Sequence, residues 1–144
     1  MDFGPQNLYH SEVLAAREKP LFQILKELPC GRIYDYLDDP VEIGIDACHP
    51  VQRTAGMDLA TVKKCYGDRI CLVGNIDSSR TLPFGTLAPV EAETLEALRA
   101  AAPGYGYILA SDHSLHDGIP VKNILHMFRV ARKYGSYSNL FQEI

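Results

Sequence analysis

Three short apolar runs, each ending in small and polar residues, are separated by stretches with helical spacing. The central run is Ile70-Cys71-Leu72-Val73, with Gly67-Asp68 before it and Gly74-Asn75-Ile76-Asp77 after it. Its brevity and the turn residues on both sides make it a strand rather than part of a buried helix. It is apolar on both alternating faces, as a parallel strand covered by helices is. The same succession recurs at Asp46 to His49, ending in Pro50-Val51-Gln52, and at Tyr105 to Ala110, ending in Ser111-Asp112-His113. Strands alternating with helices predict a parallel α/β sheet, whose chemistry gathers at the carboxyl ends of its strands.

The helical stretches have their own punctuation. Met1 to Tyr9 reads as a loop. Ser11 is placed to cap a helix through Arg17, whose pattern resumes after Pro20 with Leu21, Phe22, Ile24, Leu25 and Leu28 and stops at Pro29-Cys30-Gly31. Ile33, Tyr34, Leu37, Val41 and Ile43 predict a weak helix interrupted at Pro40. Asp58 caps a better one, with Leu59, Val62 and Tyr66 on one face and Gly67 at a left-handed C-terminal position. Pro89 to Ala102 is rich in alanine, leucine and glutamate and is stopped by Pro103-Gly104. The last helix starts near Pro120, with Val121, Ile124, Leu125, Phe128 and Ala131 as its buried stripe and Gly135 at its end. Ser136 to Ile144 reads as a partly docked extension. Three strands alone would leave two unpaired edges, which suggests that a larger sheet is involved.

Composition adds bounds. With 144 residues, 47% hydrophobic and 22% charged, the chain suits a single domain, residues 1–144. Net charge is −4 and the 14 Lys and Arg are scattered, so no nucleic-acid footprint and no polybasic membrane patch is written here. No apolar run approaches the roughly 18 residues of a membrane span, and no leader opens the chain, so a cytoplasmic location is expected. Cys30, Cys48, Cys65 and Cys71 form no C-x-x-C pair; the two in predicted strands read as reduced core thiols.

Four stretches in order resemble the uroporphyrinogen decarboxylase superfamily, in particular its cobalamin-methyltransferase-like branch. They are Asp2-Phe3-Gly4-Pro5-Gln6-Asn7; Glu42-Ile43-Gly44-Ile45-Asp46 running to Pro50-Val51-Gln52 and Ala55-Gly56-Met57-Asp58; Gly74-Asn75-Ile76-Asp77 with Leu82-Pro83-Phe84-Gly85-Thr86; and Gly106 to His113 with Ile119-Pro120 and Asn123-Ile124. The resemblance implies a partial (β/α)8 TIM barrel, specifically the C-terminal half, with about three parallel strands and flanking helices. Relatives carry a connecting loop and another strand where Lys26-Glu27-Leu28 runs straight into Pro29-Cys30-Gly31, so one barrel strand is expected to be largely lost there.

The resemblance also implies two chemistries. In the methyltransferase branch, a His-x-Cys pair and a later cysteine hold zinc, which activates a thiol as its thiolate. Cys30 matches the second ligand, Leu28 stands where the first would be, and His113 occupies the third position. Two ligands fall short of a zinc site, and His49, Asp112 or His116 are the nearest further donors. That branch implies a methyl donor, a thiol and a corrinoid protein as partners. The decarboxylase branch acts on a porphyrinogen and needs no cofactor; His113 resembles the histidine that approaches substrate there, with Asp77 as a second catalytic candidate. Gln52, Gln6 and Asp2 are the substrate-binding candidates. The arginines and the acid that do most of the work belong to the family's N-terminal half. The isolated chain is therefore expected to be inactive, or to be a non-catalytic fragment that pairs with itself or with a complementing half-barrel.

Plainer readings stand beside these. Asp77 and Gln52 could tie loop amides or cap the following helices. Asp46 reads as a turn residue, and Asp2 and Gln6 lie at a terminus. His113 is either a site residue or a solvated loop histidine. His10, His116 and His126 have no constellation. Gly104-Tyr105-Gly106 precedes its strand and is no phosphate loop.

Overall fold

The computed structural model describes residues 24–25 and 34–136. Expectations for Met1 to Phe22, for Leu28 to Gly31 and for the tail beyond Ser136 fall outside the described residues. Four strands form one parallel sheet in the order β1 (Ile24–Leu25), β2 (Ala47–Cys48), β3 (Cys71–Ile76) and β4 (Tyr107–Ser111). Ile24 pairs with Ala47, Ala47 with Cys71, and Leu72 through Ile76 with Tyr107 through Ser111. Among the described residues the sheet has four strands, against about three expected. Ile24 and Leu25 were assigned to a helix on periodicity; their backbone instead pairs with β2. The outer edge of β2 offers backbone partners that local spacing does not reveal, and tertiary pairing overrides propensity. The strand ahead of Pro29 is two residues long.

The helices are α1 (Asp38–Ile43), α2 (Leu59–Tyr66), α3 (Thr81–Phe84), α4 (Leu87–Ala101) and α5 (Val121–Tyr134), with 3-10 turns at Tyr34–Tyr36 and Arg53–Ala55. Pro40 does not interrupt α1. It stands third in that helix, within the first turn, where an amide N–H has no intrahelical partner to lose. Pro89 is likewise third in α4, which begins two residues earlier than the pattern predicted. Gly67 is not left-handed: its φ is −67°, and its N–H bonds the Lys63 carbonyl. Its lack of a side chain matters through close approach instead, since a Cβ there would lie 2.6 Å from that same oxygen.

The core lies between the sheet and one layer of helices. Leu72 and Ile76 of β3 meet Leu59, Val62 and Tyr66 of α2 and Val90, Ala97, Leu98 and Ala101 of α4, all in one buried cluster. In the helix layer α4 packs against α2 on one side and α5 on the other, so layer and sheet advance in the same direction. The face of α5 corrects the sequence pattern. Asn123, Met127 and Val130 are the buried positions, whereas Val121, Leu125 and Phe128 of the expected stripe are 67%, 47% and 51% exposed. The cause is Asn123, whose side-chain amide donates to the carbonyls of Leu82 and Gly85 at 2.8 Å and turns that side of the helix inward. Among the described residues no helix is long and apolar enough to cross a membrane.

Cap chemistry fixes the start of α2. The Asp58 carboxylate accepts from the Thr61 amide at 2.9 Å and from the Thr61 hydroxyl. These bonds, the hydroxyl's first, hold the carboxyl below its ordinary value of 3.8. Asp58→Ala is expected to cost about 0.5–1 kcal/mol, the lower part of the capping range because the site is exposed. A depressed folded pKa means that the contribution is present above about 3.8 and is lost as pH falls through the folded value. Urea unfolding of both proteins should show a gap at neutral pH that closes on acidification; a gap that persists at pH below the folded value would show that the carboxylate is not its source.

Candidate functional site at the strand carboxyl ends

β3 and β4 run parallel and end together at Ile76 and Ser111, whereas β2 ends at Cys48 opposite Leu72 and its following residues continue toward the same rim. His49 and Gln52 follow β2, Asp77 to Arg80 follow β3, and Asp112, His113 and His116 follow β4. Two peptide bonds at this rim are cis, His49-Pro50 and Gly74-Asn75.

The β3 end is built around Asp77, which is buried. Its Oδ1 accepts from the Ser79 amide at 2.7 Å, the Ser79 hydroxyl at 2.6 Å and the Arg80 amide at 2.9 Å. Its own amide donates to Glu93 Oε1 at 2.7 Å, and its carbonyl accepts from Leu82 at 2.9 Å. A carboxylate taking several N–H and O–H donors within three residues stabilises a tight turn. The turn leaves Ser79 and Arg80 exposed above it.

The β4 end is tied to the same loop by Asp112, only 1% exposed. Its amide donates to the Ile76 carbonyl at 2.8 Å, and its Oδ1 accepts from both the amide and the hydroxyl of Ser78, at 2.9 and 2.7 Å. Its Oδ2 is buried without a partner. His116 adds a second tie. Its Nδ1 accepts from the Gly118 amide, so the neutral ring carries its hydrogen on Nε2, which donates to the Ser78 carbonyl at 3.2 Å. Ser78 is thus held through its amide, hydroxyl and carbonyl. His113 is exposed beside this lock, and its carbonyl accepts from the Ser111 hydroxyl at 2.6 Å.

Just after β2, His49 Nδ1 lies 3.2 Å from the Val73 carbonyl. A carbonyl only accepts, so Nδ1 bears the hydrogen and Nε2 keeps the lone pair in the neutral ring. Gln52 is half-buried, and its carbonyl accepts from Ala55 and Met57. Cys48 is a buried free thiol pushed up to about 11 by desolvation, and burial also raises the half-buried Cys71. Neither is primed as a nucleophile.

The structure therefore brings Asp77 and His113 to adjacent strand ends and puts Gln52 on the third. Asp2, Gln6 and Cys30 lie outside the described residues. Among the described residues no three His, Cys, Asp or Glu side chains converge on one point. The described donors do not by themselves fit zinc, and no step is derived through it. Ser78, Asp112 and His116 form the constellation that pattern reading did not assemble. Asp112, at a strand end and next to His113, was the available signal, but its partner lies 34 residues away in sequence.

Truncating Asp112 to Ala removes the acceptor for two buried donors of Ser78 and is expected to cost about 1–3 kcal/mol in urea unfolding. Asp112→Asn, which keeps one acceptor oxygen, should lose less. Equal losses for the two would show that the Ser78 bonds are not what the carboxylate contributes.

The uroporphyrinogen decarboxylase (URO-D) family profile matches residues 27–134. A uroporphyrinogen decarboxylase of Sodalis glossinidius (strain morsitans) is 32% identical over 69 residues, which are 48% of this chain and 19% of that protein. A methylcobamide:CoM methyltransferase of Methanosarcina barkeri is 38% identical over 81 residues, 54% of this chain and 23% of that protein. Among solved structures, a methyltransferase from Methanosarcina mazei superposes with a TM-score of 0.63 and 26% identity, over 74% of this chain and 30% of its own. The chain thus spans about a fifth of the length of the curated relatives it matches. With most of its residues matched in one stretch, the chain belongs to the uroporphyrinogen decarboxylase family.

Proposed function

We propose that this chain supplies one arc of the substrate site of a uroporphyrinogen-decarboxylase-like enzyme that removes carboxylate groups from a porphyrinogen, with its strands forming part of a (β/α)8 barrel. The observation that carries the reading is the sorting of charge at the strand ends. Asp77 and Asp112 are turned into the scaffold, where N–H and O–H donors hold them. Arg80 and His113, on the neighbouring ends of β3 and β4, face solvent. At these two strand ends a polycarboxylate substrate meets a cation and a donor, the exposed Asp117 standing further along the loop after β4. In the net reaction a side-chain acetate takes up one proton, the bond to its carboxyl carbon breaks, carbon dioxide leaves and a methyl group remains. Arg80 would hold a carboxylate, and His113 would hold another or deliver the proton. Asp77 acts in this scheme by shaping the turn that presents Arg80, and Gln52 offers a neutral donor from the β2 side. Positioning a tetrapyrrole takes more groups than one arc provides, so turnover requires the rest of a barrel mouth.

A second reading is transfer of a methyl group to a thiol, favoured by the similarity to the two Methanosarcina methyltransferases. It would engage a corrinoid protein, with Cys30 and His113 as candidate zinc ligands and zinc supplying a thiolate when bound.

The test is to titrate the chain with uroporphyrinogen under reducing conditions and follow binding and product. The chain alone should bind without turnover, and Arg80→Ala with His113→Ala should weaken binding about tenfold or more, as loss of charge-assisted bonds does. Unchanged binding in the double variant would remove this rim from the site. Turnover by the chain alone would overturn the requirement for further groups.

A further inference from the structure

Glu93 is a buried acid that the proposed reaction does not use. It stands in the middle of the 15-residue helix α4, 8% exposed, one turn from the buried Val90 and Ala97. The other acids of that helix have basic partners, Glu91 meeting His126 and Glu96 meeting Arg53. Glu93 meets a backbone amide instead: its Oε1 accepts from the Asp77 N–H at 2.7 Å. A mid-helix residue already has its own backbone bonds, and a carboxylate among apolar neighbours carries a desolvation cost. Leucine would serve the packing of α4 at this position; what an acid adds is an acceptor at the end of β3.

Ile76 is the last residue of β3 paired with β4, so the peptide that joins Ile76 to Asp77 lies at the margin of the ladder. Its two polar groups are held from different elements. The Ile76 carbonyl accepts from the Asp112 amide at 2.8 Å, and the Asp77 N–H donates to Glu93. The Asp77 carboxylate in turn takes the amides of Ser79 and Arg80, at 2.7 and 2.9 Å. Arg80 therefore stands three residues beyond a peptide gripped from the β4 end on one side and from α4 on the other. We propose that Glu93 is a positioning residue for Arg80. From within the helix layer it fixes the peptide on which the Asp77 turn is built, and thereby the place where the guanidinium meets a substrate carboxylate. An ionised acceptor holds an amide more firmly than a neutral one, which suits a peptide beyond the last ladder pair. The inference rests on the reading of Arg80 as a carboxylate-binding group.

The experiment compares two variants of the full chain, each checked for folding by circular dichroism. Glu93→Met keeps the length of the side chain and removes the acceptor, whereas Glu93→Gln keeps an acceptor oxygen. Should Glu93→Met not fold, Glu93→Ala takes its place, since alanine also removes the acceptor and has the highest helix propensity. Hydrogen exchange at the Asp77, Ser79 and Arg80 amides should quicken about tenfold or more in Glu93→Met and stay near the parent rate in Glu93→Gln. Uroporphyrinogen binding should weaken in Glu93→Met as much as in Arg80→Ala, roughly threefold or more, with the same flattening of its salt dependence. In the Arg80→Ala background Glu93→Met should add nothing further, and Glu93→Gln should restore most of the binding. Unchanged exchange in Glu93→Met overturns the proposal. So do binding losses that add in the double variant, which would make Glu93 a general support of the fold rather than of Arg80. Failure of the underlying reading has a different signature: Arg80→Ala binds as the parent does while Glu93→Met still quickens exchange. That result takes the substrate away from Arg80, and the binding role of Glu93 with it.

Discussion

The pairing of β3 with β4 is the constraint on which the described structure depends. It is the longest ladder in the sheet, five residue pairs in register, and it places the loops after both strands side by side. A ladder fixes backbone, but it does not fix the loops beyond it. That is done by Asp112, which continues the ladder by donating its amide to Ile76 and closes the gap with its carboxylate on Ser78. Burying a carboxyl oxygen is costly unless a donor meets it, and Oδ1 takes both donors of Ser78 while Oδ2 is left without one. Once Ser78 is held, Asp77 can organise the next turn and Arg80 is presented to solvent.

The same constraint shows why parts of the molecule were readable from the sequence and parts were not. Asp58 before Leu59-Val62-Tyr66 announces a helix because cap and apolar face are both local. The Pro89 to Ala102 stretch and the run ending in Ala110 are equally local and appear within two residues of where they were expected. Ile24 and Leu25 read as helix because nothing near them reveals the edge of β2 that takes their backbone. The buried face of α5 is shifted from the expected stripe, which keeps only Ile124 and Ala131 half-buried, for a related reason. Its buried side is set by Asn123 binding carbonyls some 40 residues earlier, so a polar residue sits inside and three apolar ones outside. A periodicity argument weighs hydrophobicity and has no means to count a distant carbonyl.

Site residues divide along the same line. The position of His113 just beyond the end of β4 is legible because a strand end can be read from one segment. Asp77 carried two readings, and the bonds of its Oδ1 to Ser79 and Arg80 describe a turn. The Asp112, Ser78 and His116 group escaped because it joins two segments through hydrogen bonds that have no spacing rule. What pattern reading locates is the rim; the division of that rim into scaffold and solvent-facing groups is a three-dimensional property.

That division bears on how far the family's chemistry carries over. Relatives of this chain include both a decarboxylase and methyltransferases, so membership alone selects neither. The two demands differ physically: one needs fixed positive charge and proton donors facing an anion, the other a cluster of soft donors around a metal. On the described arc the thiols of Cys48 and Cys71 lie within the sheet and are pushed upward by burial, while the acids near the rim are bound by the scaffold. The groups facing outward include Arg80, His113 and His116, with the exposed Asp117 in the same loop after β4. Among the described residues no three metal donors converge, so the choice between the two chemistries turns on the groups that complete the rim.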